Sequence, residues 1–218
     1  MPRKSLIYDI LLSSTSEIEN EQSIVKEAIE KFNSTYATAL GINLNLKSWQ
    51  NNSYSQSGGR PQELLNKQFV EDCDLAICIL WTRFGTPTGD YLSGTEEEIE
   101  SMLQAGKQVF LYFSDIPKSP SKIDVDQHNK VKEFRKKHET SIYYKTYSSY
   151  DEFKELITLD LSLFFLHLKS KDSDEHTALN SDLSIQGISS NNAHSSLEFE
   201  QKSSSSIIQE YESNYPPV

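Results

Sequence analysis

Two uninterrupted apolar runs, LAICIL at residues 75–80 and VFLYF at 109–113, dominate the hydropathy pattern. Such runs, without polar alternation, predict strands covered on both faces of a parallel sheet. Between them, EEEIESMLQAG carries acids in its first turn, helix-forming residues and a glycine at its stop, which predicts a helix. Strand, helix and strand in this order form a crossover unit of right-handed sense. SLIYDILLSST predicts an earlier strand from Leu6 to about Leu12. Ser16 and Glu19 then have the spacing of a capping box, and Ile18, Val25, Ala28, Ile29 and Phe32 give the following helix an apolar face. Gly41 closes that helix, and the alternation in INLNLKSW predicts an edge strand with one wet face.

The polar loop NNSYSQSGGR leads to Pro61, well placed in the first turn of a helix PQELLNKQFVEDC. Beyond Phe113, the loop SDIPKSPSKID precedes a basic helix around VKEFRKKHE and a β-rich SIYYKTY. Ser149 with Glu152 then caps a last apolar-faced helix ending near Leu168. Five strands alternating with five helices predict a three-layer α/β/α fold. Its parallel sheet takes the flavodoxin-like order 2-1-3-4-5, which places a ligand crevice where the loops after strands 1 and 3 diverge. Those loops are SST and WTRFGTPTG.

Composition divides the chain. Residues 1–168 carry 18 basic and 24 acidic side chains (−6) and residues 169–218 carry 3 and 8 (−5), matching the total of −11. Neither part has the basic stripe of a nucleic-acid binder. The serine, asparagine and acid content from Lys169 predicts a disordered tail or linker to another domain or subunit, with FEQ and SIIQEYES as possible contact peptides. The α/β domain is therefore placed at 1–168. MPRKSLIYDILLSS has too short an apolar run for a signal peptide, and no segment approaches a membrane span, so a cytoplasmic protein is expected. Cys73 and Cys78 are five apart; strand alternation would set them on opposite faces, as reduced packing residues.

No phosphate-loop lysine motif, GxGxxG or paired cysteine–histidine metal spacing occurs, and the five histidines lie away from the central stretch. Candidate chemistry gathers at the predicted crevice. Thr95 followed by Glu98 reads as a capping box, which would make Glu98 a helix cap. The same carboxylate, at the start of a helix beside the crevice, would stabilise positive charge at a sugar carbon during N-glycosidic cleavage. Arg83 and Arg60 suit phosphate or surface ion pairs. Trp81 and Trp49 suit base stacking or core packing. Ser13, Ser14 and Thr15 suit phosphate or ribose contacts, or a plain strand-to-helix turn. Gly85, Thr86, Thr88, Gly94 and Thr95 complete the candidate substrate site, with Gly85 to Gly94 as the covering loop.

LLSSTSEIENEQ resembles the opening of a TIR-like domain of unknown function found in bacterial multidomain and defence-associated proteins. The segment GRPQELLNKQFVEDCDLAICILWTRFGTPTG…SGTEEEIESMLQAGKQVFLYF resembles the same family more specifically. It is also similar to nucleoside 2-deoxyribosyltransferases and, more distantly, to TIR domains. The resemblance covers Ser5 to Phe113 well and weakens towards Leu168. It implies a glutamate acting at the anomeric carbon; aligned on GT-x-x-E this is Glu98, with Glu97 its nearest competitor. The family's charged pair in the first helix is here Asn20-Glu21, and the usual TIR serine-cysteine approach to the glutamate is Ser93-Gly94-Thr95. The implied activity is hydrolysis of NAD or a related nucleotide, with NAD as substrate and no cofactor or metal. Self-association as a defence effector is implied as well. The alternatives are a non-enzymatic interaction or signal-nucleotide-binding module, and a nucleoside 2-deoxyribosyltransferase.

Overall fold

A computed structural model of the chain describes residues 3–48, 57–59, 63–64, 66, 69–70, 72–89 and 91–186. The compact α/β unit spans Met1–Asp172; the rest, Ser173–Val218, is a separate unit. Five strands form one sheet: β1 (Leu6–Ser14), β2 (Ile42–Lys47), β3 (Leu75–Leu80), β4 (Gln108–Ser114) and β5 (Lys145–Tyr147). Their order is β2-β1-β3-β4-β5, with every neighbouring pair parallel. This is the flavodoxin-like order, reversing direction between β1 and β3. The named helices are α1 (Glu19–Leu40), α2 (Gly94–Gln104), α3 (Val125–His138) and α4 (Tyr150–Gln186). Residues 63, 64, 66 and 69, between β2 and β3, are also helical.

The apolar run of β3 is buried at all six positions, and its two faces feed two different cores. Leu75, Ile77 and Ile79 meet Val25, Ile29 and Phe32 of α1 and Phe153, Ile157, Leu161 and Phe165 of α4. Ala76, Cys78 and Leu80 meet Ile99 and Met102 of α2 and Val131 and Phe134 of α3. Alternation along the strand therefore builds the three layers directly. Cys73 and Cys78 are buried free thiols, but they depart from the expected opposite faces by joining the same core layer. Cys73 precedes the strand, so the alternation rule does not reach it.

The edge strand β2 is protected by one side chain. Asn33 of α1 donates from Nδ2 to the Leu44 carbonyl at 2.8 Å, and its Oδ1 accepts the Leu44 amide at 2.8 Å. Both unpaired groups of an edge residue are thereby satisfied. Asn33→Ala should cost about 1–3 kcal/mol, the two hydrogen bonds together, read as a lower urea midpoint with an unchanged slope.

Two of the three expected capping boxes differ from the structure. The Ser149–Glu152 box is present, with Ser149 Oγ accepting the Glu152 amide at 3.2 Å and Glu152 accepting the Ser148 amide at 2.7 Å. At α1, the N-cap is Ile18 with no side-chain cap bond, so Ser16 does not cap. The last helix continues past Leu168 to Gln186, and the expected contact peptides near the carboxyl end lie outside the described residues. No helix among the described residues is long and apolar enough to cross a membrane.

Candidate active site

The capping of α2 decides what Glu98 does. Ser93 is the N-cap, with extended backbone, and its Oγ accepts the Glu96 amide at 3.0 Å. Glu96 reaches back to accept the Leu92 amide at 2.8 Å, completing the box two residues earlier than the Thr95–Glu98 pairing expected from sequence. Three consecutive glutamates then point about 100° apart around the helix and meet different partners. Glu96 caps. Glu97 is buried and accepts Thr88 Oγ1 at 2.5 Å, tying down the preceding loop. Glu98 turns towards β1, where it accepts the fully buried Ser13 hydroxyl at 2.5 Å.

Glu98 also lines a cavity of about 310 Å³ at the carboxyl ends of β1 and β3. Ser14, Thr15 and Ser16 contribute one wall from the turn after β1. Arg83, Gly85, Thr86 and Thr88 contribute another from the loop after β3, and Gly94 and Thr95 open α2 beside Glu98. The walls are thus mostly hydroxyls and backbone, with one cation and one acid. The Thr15 hydroxyl oxygen is buried without a hydrogen-bond partner among the described residues. A buried, unsatisfied hydroxyl is uncommon in a folded protein.

The loop after β3 is held at both ends. Gln127 of α3 accepts the amides of Phe84 and Gly85 through its Oε1, each at 2.9 Å. Gly85 has φ +108°, and a Cβ there would lie 3.2 Å from Ser93 Cβ, so glycine lets this loop reach the N-cap of α2. Thr88 and Tyr91 exchange backbone hydrogen bonds at 3.1 and 2.9 Å, folding the tip of the loop on itself.

Most of the residues singled out by sequence meet at this cavity: Ser14, Thr15, Arg83, Gly85, Thr86, Thr88, Gly94, Thr95 and Glu98. Ser13 sits behind it, bonded to Glu98. Trp81 is not among the lining residues; its indole donates to the Ile116 carbonyl at 3.0 Å and its ring carries the Lys118 ammonium 4.4 Å from the centroid. Arg60 and Trp49 lie outside the described residues. Sequence reasoning passed over Ser16, which its pairing with Glu19 had absorbed as a cap. It also passed over Glu17, which carries no local signal at all.

Glu17 accepts four hydrogen bonds beside the cavity: from the Thr82 amide (2.8 Å) and hydroxyl (2.7 Å), the Arg83 amide (2.6 Å) and Lys118 Nζ (2.5 Å). Burial by itself would raise its carboxyl, but the bonds from Lys118, Thr82 and Arg83 outweigh burial and hold it below the ordinary value. A depressed carboxyl contributes stability that is complete above its unfolded value, near 4.5, and is lost as pH falls through the folded one. The acid side of the stability profile should therefore flatten in Glu17→Gln, checked by urea melts between pH 7 and pH 3. Burial pushes the Cys73 thiol up to about 12. Burial, then the Glu98 charge, pushes the Cys78 thiol up as well, so neither cysteine supplies a thiolate at neutral pH.

Fold and site together define an α/β protein with a hydroxyl-lined, glutamate-bearing cavity at the switch point of a flavodoxin-like sheet. Residues 9–162 match the model of a domain of unknown function, DUF4062, and the chain belongs to that family. No significant match is found among curated proteins. Similar solved structures include a CMP N-glycosidase, BcmB, of Clostridium botulinum (21% identity, 69% of this chain and 98% of that one, TM-score 0.35). They also include a flavodoxin of Streptococcus pneumonia TIGR4 (17%, 77% and 99%, TM-score 0.35). A 2-desoxiribosyltransferase from Leishmania mexicana is similar at 13% identity over 50% of this chain, TM-score 0.33; the match spans 66% of the transferase chain, just under two thirds.

Proposed function

We propose that this protein is an N-glycosidase that hydrolyses NAD or a related nucleotide. The observation that carries the reading is the placement of Glu98: a carboxylate on a hydroxyl-lined cavity, in a helix whose cap is made by Ser93 and Glu96 instead. In the reaction, the bond between the ribose anomeric carbon and the nicotinamide nitrogen breaks, and its electron pair leaves with nicotinamide. The leaving ring departs neutral, so no general acid is needed. Positive charge then builds on the sugar, and Glu98 stabilises it electrostatically. Water adds to the anomeric carbon and releases its proton. The turn Ser14–Ser16 and the Arg83 guanidinium hold phosphate, and the loop from Gly85 to Gly94 covers the sugar. Cellular NAD depletion would make this an effector module of bacterial antiviral defence, active in a self-associated, cytoplasmic form and joined through its carboxyl-terminal segment to another domain or subunit.

The reading is tested by offering the concentrated protein either NAD or a nucleoside with a free competing base. Release of nicotinamide without base exchange is the expected result. Base exchange without nicotinamide release would overturn it in favour of a nucleoside 2-deoxyribosyltransferase.

A further inference from the structure

We propose that Glu17 is a positioning residue that sets the anion-binding strength of the cavity by clamping the backbone from which Arg83 projects. The proposal deepens the glycosidase reading and rests on it for the identity of the natural ligand. Glu17 follows directly on the Ser14–Ser16 wall but is not itself a lining residue. Its side chain is 8% exposed. It accepts the amides of Thr82 and Arg83 at 2.8 and 2.6 Å, at the start of the loop that forms the opposite wall. Lys118, on the loop after β4, completes the clamp at 2.5 Å from Glu17 and 2.9 Å from Thr82 Oγ1. One carboxylate therefore ties together the loops leaving β1, β3 and β4.

Two consequences follow for the anion. Arg83 is exposed, and a long exposed side chain reaches one point in space reliably only if its backbone is fixed. The Glu17 bond to its amide supplies that restraint. Lys118 also neutralises Glu17, so an acid close to the hydroxyl turn does not repel the anion that Arg83 attracts. Glu98, reached through Ser13 on β1, is held by separate contacts. Loss of the clamp should thus weaken binding and leave the chemical step nearly intact.

The test uses the full chain as wild type, Glu17→Ala, Arg83→Ala and the double variant. Affinity for inorganic pyrophosphate is measured by calorimetry, and hydrogen exchange is followed at the Thr82 and Arg83 amides. Glu17→Ala, which removes the oxygen that accepts both amides, should speed exchange at those two amides and weaken pyrophosphate binding about tenfold, while adding less than about twofold in the Arg83→Ala background. Unchanged exchange would overturn the clamp. An equal loss in both backgrounds would show that Glu17 does not act through Arg83, and no pyrophosphate binding by wild type would remove the anion site. Nicotinamide release, assayed on the same samples, separates these outcomes from failure of the glycosidase reading, because pyrophosphate contains no glycosidic bond.

Discussion

Glu98→Gln is expected to lower the rate of nicotinamide release by about 10²–10³, the scale of removing one group aimed at developing charge. Glutamine keeps the size of the side chain and an oxygen able to accept the Ser13 hydroxyl, now made to Glu98 at 2.5 Å. It removes only the negative charge. Affinity for NAD should therefore stay within a few-fold, and the fold should be unaffected, since the α2 cap is made by Ser93 and Glu96. Single-turnover kinetics and calorimetry separate the two quantities. Glu97→Gln is the informative companion. Glu97 holds Thr88 at 2.5 Å in a charge-assisted hydrogen bond, and the weaker, neutral bond left by glutamine should loosen the covering loop and act mainly on KM. A rate that falls in Glu97→Gln and not in Glu98→Gln would exchange the two roles.

The largest expected effect on stability comes from Phe165→Ala. Phe165 is fully buried on α4, where its ring centroid lies 5.1 Å from Tyr8, 5.3 Å from Phe32 and 5.1 Å from Phe164. It thus joins the last helix to β1 and α1 at once. Removing a fully buried phenyl ring costs about 3–5 kcal/mol in lost transfer energy and residual cavity. At about 2–4 °C per kcal/mol for a domain of this size, the melting temperature should fall by roughly 10 °C. Phe164 is only partly buried, so Phe164→Ala should cost clearly less. Equal losses in the two variants would mean that this core is not organised around Phe165.

The sheet was legible because its inner strands advertise burial on both sides. LAICIL and VFLYF have no polar alternation, and the helical stretches between strands leave few orders for a parallel sheet. The crevice followed from that order, and most of the cavity's hydroxyls and glycines were readable as its two bordering loops. The capping register was not legible, for a definite reason. Ser93-Gly94-Thr95-Glu96-Glu97-Glu98 contains two overlapping pairs with the same S/T-x-x-E spacing, and local hydrogen-bond rules favour neither. The structure takes the earlier pair, Ser93–Glu96, beside the point where Gly85 packs against Ser93. Ser16 was hidden by the same kind of false pairing. Glu17 was hidden more deeply, because its partners lie 65, 66 and 101 residues away in the chain. Cys73 defeated the alternation argument by lying just outside the strand.

Chromatography of purified protein incubated with NAD, at high concentration or under crowding, tests the central claim most directly. Wild type should yield nicotinamide and ADP-ribose in equal amounts, and Glu98→Gln should yield neither above background. NAD left intact by wild type under conditions of demonstrated self-association, or release undiminished in Glu98→Gln, would contradict a glycosidase centred on Glu98.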